Sequence, residues 1–412
     1  MSSRAHRFVP LLVAASVAVG SGVAAQGAAQ GGAALTLADA LGRAMIGNPA
    51  IVAARLQRPV DLAGVDVAAE RPNPEVNYEI SKETPRQAIG GALPIELGGK
   101  RDRRLELART TLAVTDAELQ RLIAEVRNDV RRAYFETVAS ARRVDIARDL
   151  RELAQRARDA ANARVVAGDV PRSDLTQADL ALATSESELI AAEGEADATR
   201  AELNALMGQA ADAPFTAADS LSGAALLSPQ EAMALAIASN AELQTFDRRI
   251  EEQAARVKLA QAMTTPDLSA GGAVTYDAEP EFRVGWRLSA AVTIPIFTRH
   301  RAGVVVEEAT LARLHAERRA VAARLDGGIA ASVRRATSAR EQLTRYETTI
   351  LPLAVEAERQ AQAAYTGGQI GLPALVQALQ TARDTRQRGL QAGLDFQHAL
   401  ADLERAIGAP VR

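Results

Sequence analysis

The sequence contains no cysteine among its 412 residues. Disulfides, thiolate metal sites, a cysteine nucleophile and a lipid-modified N-terminal cysteine are therefore excluded. Aromatic residues are also scarce, at 3% of the chain, although hydrophobic residues make up 48%. Because aromatic side chains contribute the largest apolar areas to compact cores, this composition favours long helices packed closely side by side.

Strong net charge and long apolar segments are missing as well. The formal net charge is -3, so there is no basic field to attract nucleic acid. Beyond the N-terminus no run of about 18 apolar residues occurs, so no transmembrane helix is predicted. The four histidines are scattered, and no phosphate loop, metal spacing or nucleophile motif is found. The sequence therefore predicts neither an enzyme nor a protein with a bound cofactor.

The N-terminus has the pattern of a secretory signal peptide. A positively charged end precedes an apolar stretch at 8–20, and small residues at 23–25 offer a cleavage site. A membrane anchor is the alternative, but the apolar stretch is short for a membrane span. We predict a signal peptide at 1–25 and a flexible leader at 26–34.

The rest of the chain begins twice in the same way. The segment LTLADALGRAMIGNPAI at 35–51 matches LSPQEAMALAIASNAEL at 227–243. Further landmarks recur in the same order: LPIELGGKR with IPIFTRHR, VAGDVPRSDLTQA with TGGQIGLPALVQA, and AELNALMG with ADLERAIG. This order indicates an internal tandem duplication. The predicted domains are a first repeat at 35–208, a linker at 209–226, a second repeat at 227–408 and a tail at 409–412.

Both repeats have the same predicted layout: a capped helix, two short strands, a very long helix, a turn and a shorter helix. The long helices are expected at 102–166 and 302–366, where Leu105 and Leu112 begin a seven-residue apolar spacing typical of coiled coils. Pro352 should interrupt the second one. Capping-box patterns start the repeats, at Thr36 with Asp39 and at Ser228 with Glu231.

The strand regions alternate between apolar and polar side chains. The segment 281–297 alternates for longest, with Arg283 and Arg287 opposite an apolar face. That face carries Phe282, Val284, Trp286 and Leu288. Such alternation fits a small antiparallel sheet on a soluble helical core, and it also fits a membrane β-barrel with lipid outside and a polar lumen. The signal peptide favours the barrel, which would need several chains to close.

Taken in this order, twice over, the motifs resemble those of TolC-like outer-membrane efflux proteins. The motifs that carry the resemblance are LTLADALGRAMIGNPAI, LPIELGGKR before the first long helix, VTIPIF before the second, and AYTGGQIGLPALVQA at the second turn. The resemblance covers about 35–408, and ELGGKR is especially similar to the heavy-metal branch of the family.

The resemblance implies a mainly α fold with a small β part. A long α-helical barrel of coiled-coil hairpins would be continued by a trimeric 12-stranded membrane β-barrel. The homotrimer would sit in the outer membrane, touch its lipid through the apolar strand face, and extend into the periplasm. It would passively conduct solutes, such as heavy-metal cations or drugs, away from a periplasmic adaptor protein and an inner-membrane pump. A type I secretion channel and a periplasmic coiled-coil adaptor are the alternatives.

The two turns between long and shorter helices would form the periplasmic entrance and dock the adaptor. The expected docking residues are Gly168, Asp169, Val170, Arg172, Gly368, Gln369, Ile370, Gly371 and Leu372. Their apolar members, Val170, Ile370 and Leu372, are expected to be exposed, which is typical of a partner surface. The alternative is that these side chains pack onto their own turn.

The residues that would gate the entrance differ from those of some relatives. An acidic pair that these relatives carry just after the second turn is replaced by Ala374 and Gln377. An acidic residue is found after the first turn, at Asp174. Asp174 and Gln377 are therefore the candidates for the pore entrance.

Overall fold

The computed structural model describes residues 33–223, 226–280, 282–294 and 296–410. The predicted signal peptide and most of the predicted leader lie outside these residues. The helices are α1 (Leu37–Gly47), α2 (Pro49–Ala69), α3 (Lys100–Val166), α4 (Arg172–Leu206), α5 (Pro229–Ser239), α6 (Ala241–Ala262), α7 (Arg301–Arg345), α8 (Leu351–Thr366) and α9 (Leu372–Ile407). The strands are β1 (Ala33–Leu35), β2 (Glu75–Ile80), β3 (Gln87–Ile95), β4 (Phe215–Ala217), β5 (Asp267–Ala278) and β6 (Phe282–Thr293).

The same order of elements occurs on both sides of the 209–226 segment. Two helices lead to a β-hairpin, a long helix follows, and a second helix returns along it. One helix before the strands was expected, but there are two in each half. The capping boxes are confirmed at Thr36 and Ser228. Hydrogen bonds from these residues hold the pKa of Asp39 and of Glu231 below the ordinary values, so both acids are ionised at neutral pH.

An asparagine breaks each of these helix pairs and fixes it to the end of the returning helix. The Asn48 side chain caps α2 by accepting from the backbone N–H of Ala50, and its Nδ2 donates to the carbonyl of Leu206 at 2.8 Å. In the second half Asn240 caps α6, and its Nδ2 donates to the carbonyl of Ala406 at 2.8 Å. One buried amide therefore satisfies two helix ends at once.

A glycine lets the backbones approach at each of these junctions. Gly208 and Gly408 end α4 and α9 in the left-handed region, with φ of 69° and 80°. A Cβ on Gly208 would overlap the carbonyl of Gly47, and a Cβ on Gly408 would overlap that of Ser239. The Asn and the Gly that recur in both halves of the sequence therefore lie at the same junction, where two helix ends meet.

The long helices match their predicted positions. α3 has 67 residues, and at about 1.5 Å per residue it reaches about 100 Å. Its counterpart consists of α7 and α8 with a π-helical turn, Tyr346–Ile350, between them. Pro352 is the second residue of α8 and has no N–H to donate, which fits a change of the hydrogen-bond pattern just before it. The predicted interruption is confirmed. Within the described ranges, no helix combines the length and the apolar character needed to cross a bilayer.

α3 lies at the centre and joins the two halves. It packs along α4 to form the first hairpin, and along α2, α6 and α9. Near its middle Arg131 donates to Glu404 and Gln397 of α9, at 2.6 and 3.1 Å, and its guanidinium lies over the Phe135 ring. Arg131 is 9% exposed. Because this cation is buried and paired, it fixes how α9 lies against α3.

A short parallel pair, β1 with β4, was not expected from the sequence. Tyr134 of α3 lies beneath it, with its hydroxyl 2.8 Å from the Leu35 carbonyl and 2.9 Å from a carboxylate oxygen of Asp219. Burial raises the pKa of Tyr134 to about 12, so the hydroxyl keeps its proton. This contact ties Leu35 of β1 and Asp219, which follows β4, to the core.

Replacing Asn48 by Asp should test the amide junction. Asn48→Asp retains the oxygen that caps α2, but it removes the N–H that Leu206 accepts and places a carboxylate beside that carbonyl. We expect the free energy of unfolding in detergent to fall by about 1–3 kcal/mol, measured with denaturant. Asn162→Asp on the exposed face of α3 is the control. Equal losses in both variants would show that the Leu206 bond does not stabilise the fold.

Candidate functional site

The four strands β2, β3, β5 and β6 form one antiparallel sheet in that order. Directly opposed residues share a face of a sheet. One row across it therefore consists of Tyr78, Ile89, Val274 and Trp286. The other rows of this face consist of apolar residues or glycine, except at Gln87. The large apolar side chains that the two outer strands place on this face are Val76, Tyr78, Ile80, Phe282, Val284, Trp286, Leu288 and Val292.

This apolar face has no cover within the described chain. Trp286 is 78% exposed and Leu288 76%, and on the opposite edge Val76 is 79% exposed. The four residues predicted for the lipid-facing strand lie together on it. Large apolar patches on a protein surface mark contacts with a partner or a membrane.

The other face of the sheet is polar or made of small residues. Its outer strands carry Glu75, Asn77 and Glu79 on β2 and Arg283 and Arg287 on β6. The inner strands contribute Ala88, Gly90, Ala92, Ser269, Gly271, Ala273 and Thr275. Small side chains in the middle leave space on this side, which is the arrangement a lumen requires.

The motif ELGGKR lies where the sheet meets α3. Gly98 and Gly99 have φ of 73° and 70°, and a Cβ on Gly98 would meet the Thr265 side chain at 2.6 Å. The Nζ of Lys100 donates to Asp267 at 2.7 Å, although Lys100 is 4% exposed. The glycines allow the tight path, and the ion pair joins α3 to the start of β5. The motif therefore sets the position of the sheet on the helices.

Both turns at the far end of the hairpins have the same backbone. Gly168 and Gly368 have φ of 81° and 71°. The N–H of Asp169 donates to Arg164, and that of Gln369 to Ala364, at 2.9 and 2.8 Å. These are the six-to-one bonds of the Schellman motif, which closes a helix on a left-handed glycine. The predicted helix reversals are confirmed.

The side chains at the turns divide into exposed and buried groups. Asp169, Arg172 and Gln369 are exposed, as is the entrance candidate Gln377, while Asp174 and Val170 are half-buried. The expectation that Leu372 is exposed is wrong, because it is 1% exposed and packs with Leu153 and Tyr365. Ile370 packs against the same cluster. These two side chains therefore belong to a cluster that joins the second turn to the first hairpin.

Sequence reasoning missed an apolar cleft near the turns. It has a volume of about 390 Å³ and lies between α3, α4 and α9. Its walls include Leu150, Ala154, Ala181 and Val376, together with Leu180, which is 68% exposed. Leu180 occurs in an ordinary helical sequence, and only the packing of three helices shows that no described residue covers it.

Both the sequence and the fold of this chain are similar to those of known outer-membrane efflux proteins. A model of the outer membrane efflux protein family matches residues 40–209, within the first predicted repeat. The fold is similar to that of CusC (TM-score 0.75, 15% identity, 90% of this chain and 92% of that one) and of the MtrE outer membrane channel of Neisseria gonorrhoeae (0.74, 16%, 91% and 89%). The resemblance to TolC-like outer-membrane efflux proteins is confirmed.

One relative of known name is similar in sequence along nearly the whole chain. The chain is 27% identical over 384 residues to the cobalt-zinc-cadmium resistance protein CzcC of Cupriavidus metallidurans. The match covers 91% of this chain and 90% of CzcC. It therefore spans both predicted repeats and the heavy-metal-like motif ELGGKR.

The sheet supplies a test of which face meets lipid. Leu288→Arg should reduce the stability of the assembled protein by about 2–4 kcal/mol, because it places a charge on the apolar face. Ser289→Arg, one residue further on the polar face, should cost much less. The yield of folded protein in outer-membrane fractions, read from heat-modifiable gel mobility, measures both variants. A larger loss for Ser289→Arg would mean that the opposite face contacts lipid.

Proposed function

We propose that this protein is the outer-membrane channel subunit of a tripartite efflux system. In this system it passively conducts solutes from the periplasm to the exterior. The observation that carries the proposal is the exposed apolar face of the four-stranded sheet. This sheet lies at one end of two helical hairpins, and the first hairpin contains the 67-residue α3. A soluble protein would bury such a face, whereas a membrane-embedded one needs it.

The functional unit in this proposal is a homotrimer. Four strands are too few to close a barrel, since the smallest membrane barrels have about eight. Three copies would supply the 12 strands that the family resemblance implies. The polar and small-residue face would line the lumen, and the hairpins would extend the channel into the periplasm.

The hairpin turns and the cleft beside them are the proposed contact with the adaptor protein. The turns present Asp169, Arg172 and Gln369 to solvent, and the cleft adds apolar area at Leu180. Interfaces commonly combine a polar rim with a central apolar anchor. Asp174 and Gln377 stay the proposed entrance residues. An inner-membrane pump would supply the solute through the adaptor.

Heavy-metal cations are the proposed substrate class. The support is the match to CzcC, named for cobalt, zinc and cadmium resistance, along nine-tenths of both chains. Drugs and exported polypeptides are the other substrates that this fold could conduct, the second in a type I secretion channel. A periplasmic adaptor is less well supported, because the fold matches channel chains over 90% of this chain.

Assembly and location can be tested together. We expect the protein in the outer-membrane fraction, released by detergent and not by high salt. Native mass measurement in mild detergent should give three copies, because closing the barrel requires 12 strands. A salt-soluble protein that stays monomeric without detergent would contradict the proposal and favour the adaptor alternative.

Docking can be tested with the same substitution at two leucines. Leu180→Asp places a charge in the exposed cleft, so we expect at least about tenfold weaker binding of the purified adaptor with the trimer intact. Leu372→Asp buries the charge in the turn and should destabilise the hairpin instead. Surface plasmon resonance measures binding, and native mass reports the trimer. Unchanged binding by the Leu180→Asp trimer would exclude the cleft as the docking site.

A further inference from the structure

A charged cleft lies where α6 begins and α9 ends. It has a volume of about 780 Å³, and α3, α6, α7 and α9 each contribute part of its wall. Clefts of about 300–1,000 Å³ are of the size that holds small ligands. Unlike the apolar cleft near the turns, this one is lined by five arginines and three acidic residues, which leaves an excess of positive charge. These residues are Arg121, Arg249, Arg324, Arg335, Arg405, Glu125, Glu242 and Asp402.

The three acidic residues of the cleft are already paired. Each carboxylate accepts a hydrogen bond from an arginine, and one of these arginines, Arg132, lies outside the cleft. The bonds run from Arg121 to Glu125 at 2.6 Å, from Arg324 to Glu242 at 3.3 Å and from Arg132 to Asp402 at 3.0 Å. Arg249 also has a partner outside the cleft, because it donates to Glu118 at 2.7 Å. The excess positive charge therefore belongs to the two remaining arginines.

These two arginines are Arg335 of α7 and Arg405 of α9. Both are exposed, and neither guanidinium forms an ion pair or a hydrogen bond with a described residue. A guanidinium keeps its charge throughout the physiological pH range and presents a planar fork of N–H donors. Carboxylates and phosphates match that fork with two acceptor oxygens. The two arginines therefore offer two binding positions for anionic groups in one cleft.

A glycine keeps the α7 wall of this cleft open. Gly328 lies inside the 45-residue α7, where glycine is less favourable than alanine. A Cβ at this position would lie in open space, so no packing contact within the described chain requires the glycine. Arg324 and Arg335 lie four residues before it and seven residues after it, on the same face of the helix. The missing side chain thus leaves space between two arginines of the cleft.

We propose that the cleft binds a small anion that carries at least two carboxylate or phosphate groups. Arg335 and Arg405 bind one group each. Ser332, whose hydroxyl has no hydrogen-bond partner among the described residues, adds a neutral donor. A monovalent ion such as chloride would leave one of the two guanidinium groups without a partner. The inference goes beyond the proposed function and is independent of it, because every residue that lines the cleft comes from one chain.

The position of the cleft predicts what binding does to the fold. Asn240 and Ala406 line the cleft, and their hydrogen bond joins the start of α6 to the end of α9. An anion bound by Arg335 and Arg405 connects α7 with α9 beside this junction. Because a ligand that binds only the folded protein stabilises it, we expect the unfolding temperature to rise with ligand concentration.

Isothermal titration calorimetry of the full chain in neutral detergent measures binding. The probes are pyrophosphate and citrate, in low salt because dissolved ions screen the charges. We expect saturable binding of at least one probe, with one site per chain and a matching rise of the unfolding temperature. Binding of pyrophosphate alone would identify a phosphate ligand, and binding of citrate alone a carboxylate ligand. Binding of neither probe would overturn the proposal.

The double variant Arg335→Gln with Arg405→Gln tests the two arginines. We expect it to bind the probe at least about tenfold more weakly, because two charge-assisted contacts are lost. The matched control is Arg319→Gln with Arg340→Gln. Both control residues are exposed arginines of α7 outside the cleft, so the net charge changes by the same amount. Equal weakening in the two double variants would show that the probe responds only to overall charge, and the site would then be wrong.

The substitution Gly328→Glu tests the open wall. A carboxylate between Arg324 and Arg335 should compete with the ligand, so we expect binding at least about tenfold weaker. Gly327→Glu adds the same charge at a position that does not line the cleft, and it should leave binding unchanged. Glutamate is a better helix former than glycine, so both variants should fold, which circular dichroism checks. Full binding by Gly328→Glu, or an equal loss in both variants, would place the anion elsewhere and overturn the proposal.

Discussion

The position of each helix pair depends on one buried amide that serves two helices. Asn48 and Asn240 accept a backbone N–H at the start of one helix and donate to a carbonyl in the last turn of another. Both partners are orphan groups at helix ends, which water cannot reach once the junction is packed. A hydrophobic contact could slide, but this bond has one geometry. Long hairpins that must stay parallel over about 100 Å benefit from such a fixed point.

The second constraint lies at the opposite end, where helices become strands. The left-handed glycines before α3 and the Lys100–Asp267 pair fix the path of the chain there. Because Lys100 is nearly buried, removing Asp267 would leave a cation without a partner in a poorly solvated place. The sheet is therefore attached rigidly to the helices, and rotation of one hairpin would also move its two strands.

Local patterns predicted most of the elements, whereas contacts distant in sequence could not be predicted. The capping boxes, the alternating strands and the closing glycines follow from residues that are a few positions apart. The break at Asn48 has a signal in the sequence, a capping Asn before Pro49 at the first position of a helix. The burial of Leu372 had none, because Leu153 packs on it from a different hairpin. The cleft at Leu180 likewise depends on three helices that meet only in the fold.

The uncovered sheet also makes a single unassembled copy prone to aggregation. In the proposed assembly, a copy that has not yet met its partners carries an apolar face and two open strand edges in water. Both features promote aggregation, and pairing with the wrong neighbour uses the same backbone groups as pairing with the right one. In the proposed homotrimer, closure requires three copies to meet, so it becomes slow when the protein is scarce. The proposed assembly therefore requires that the apolar face and the strand edges be shielded from water until the sheet is inserted.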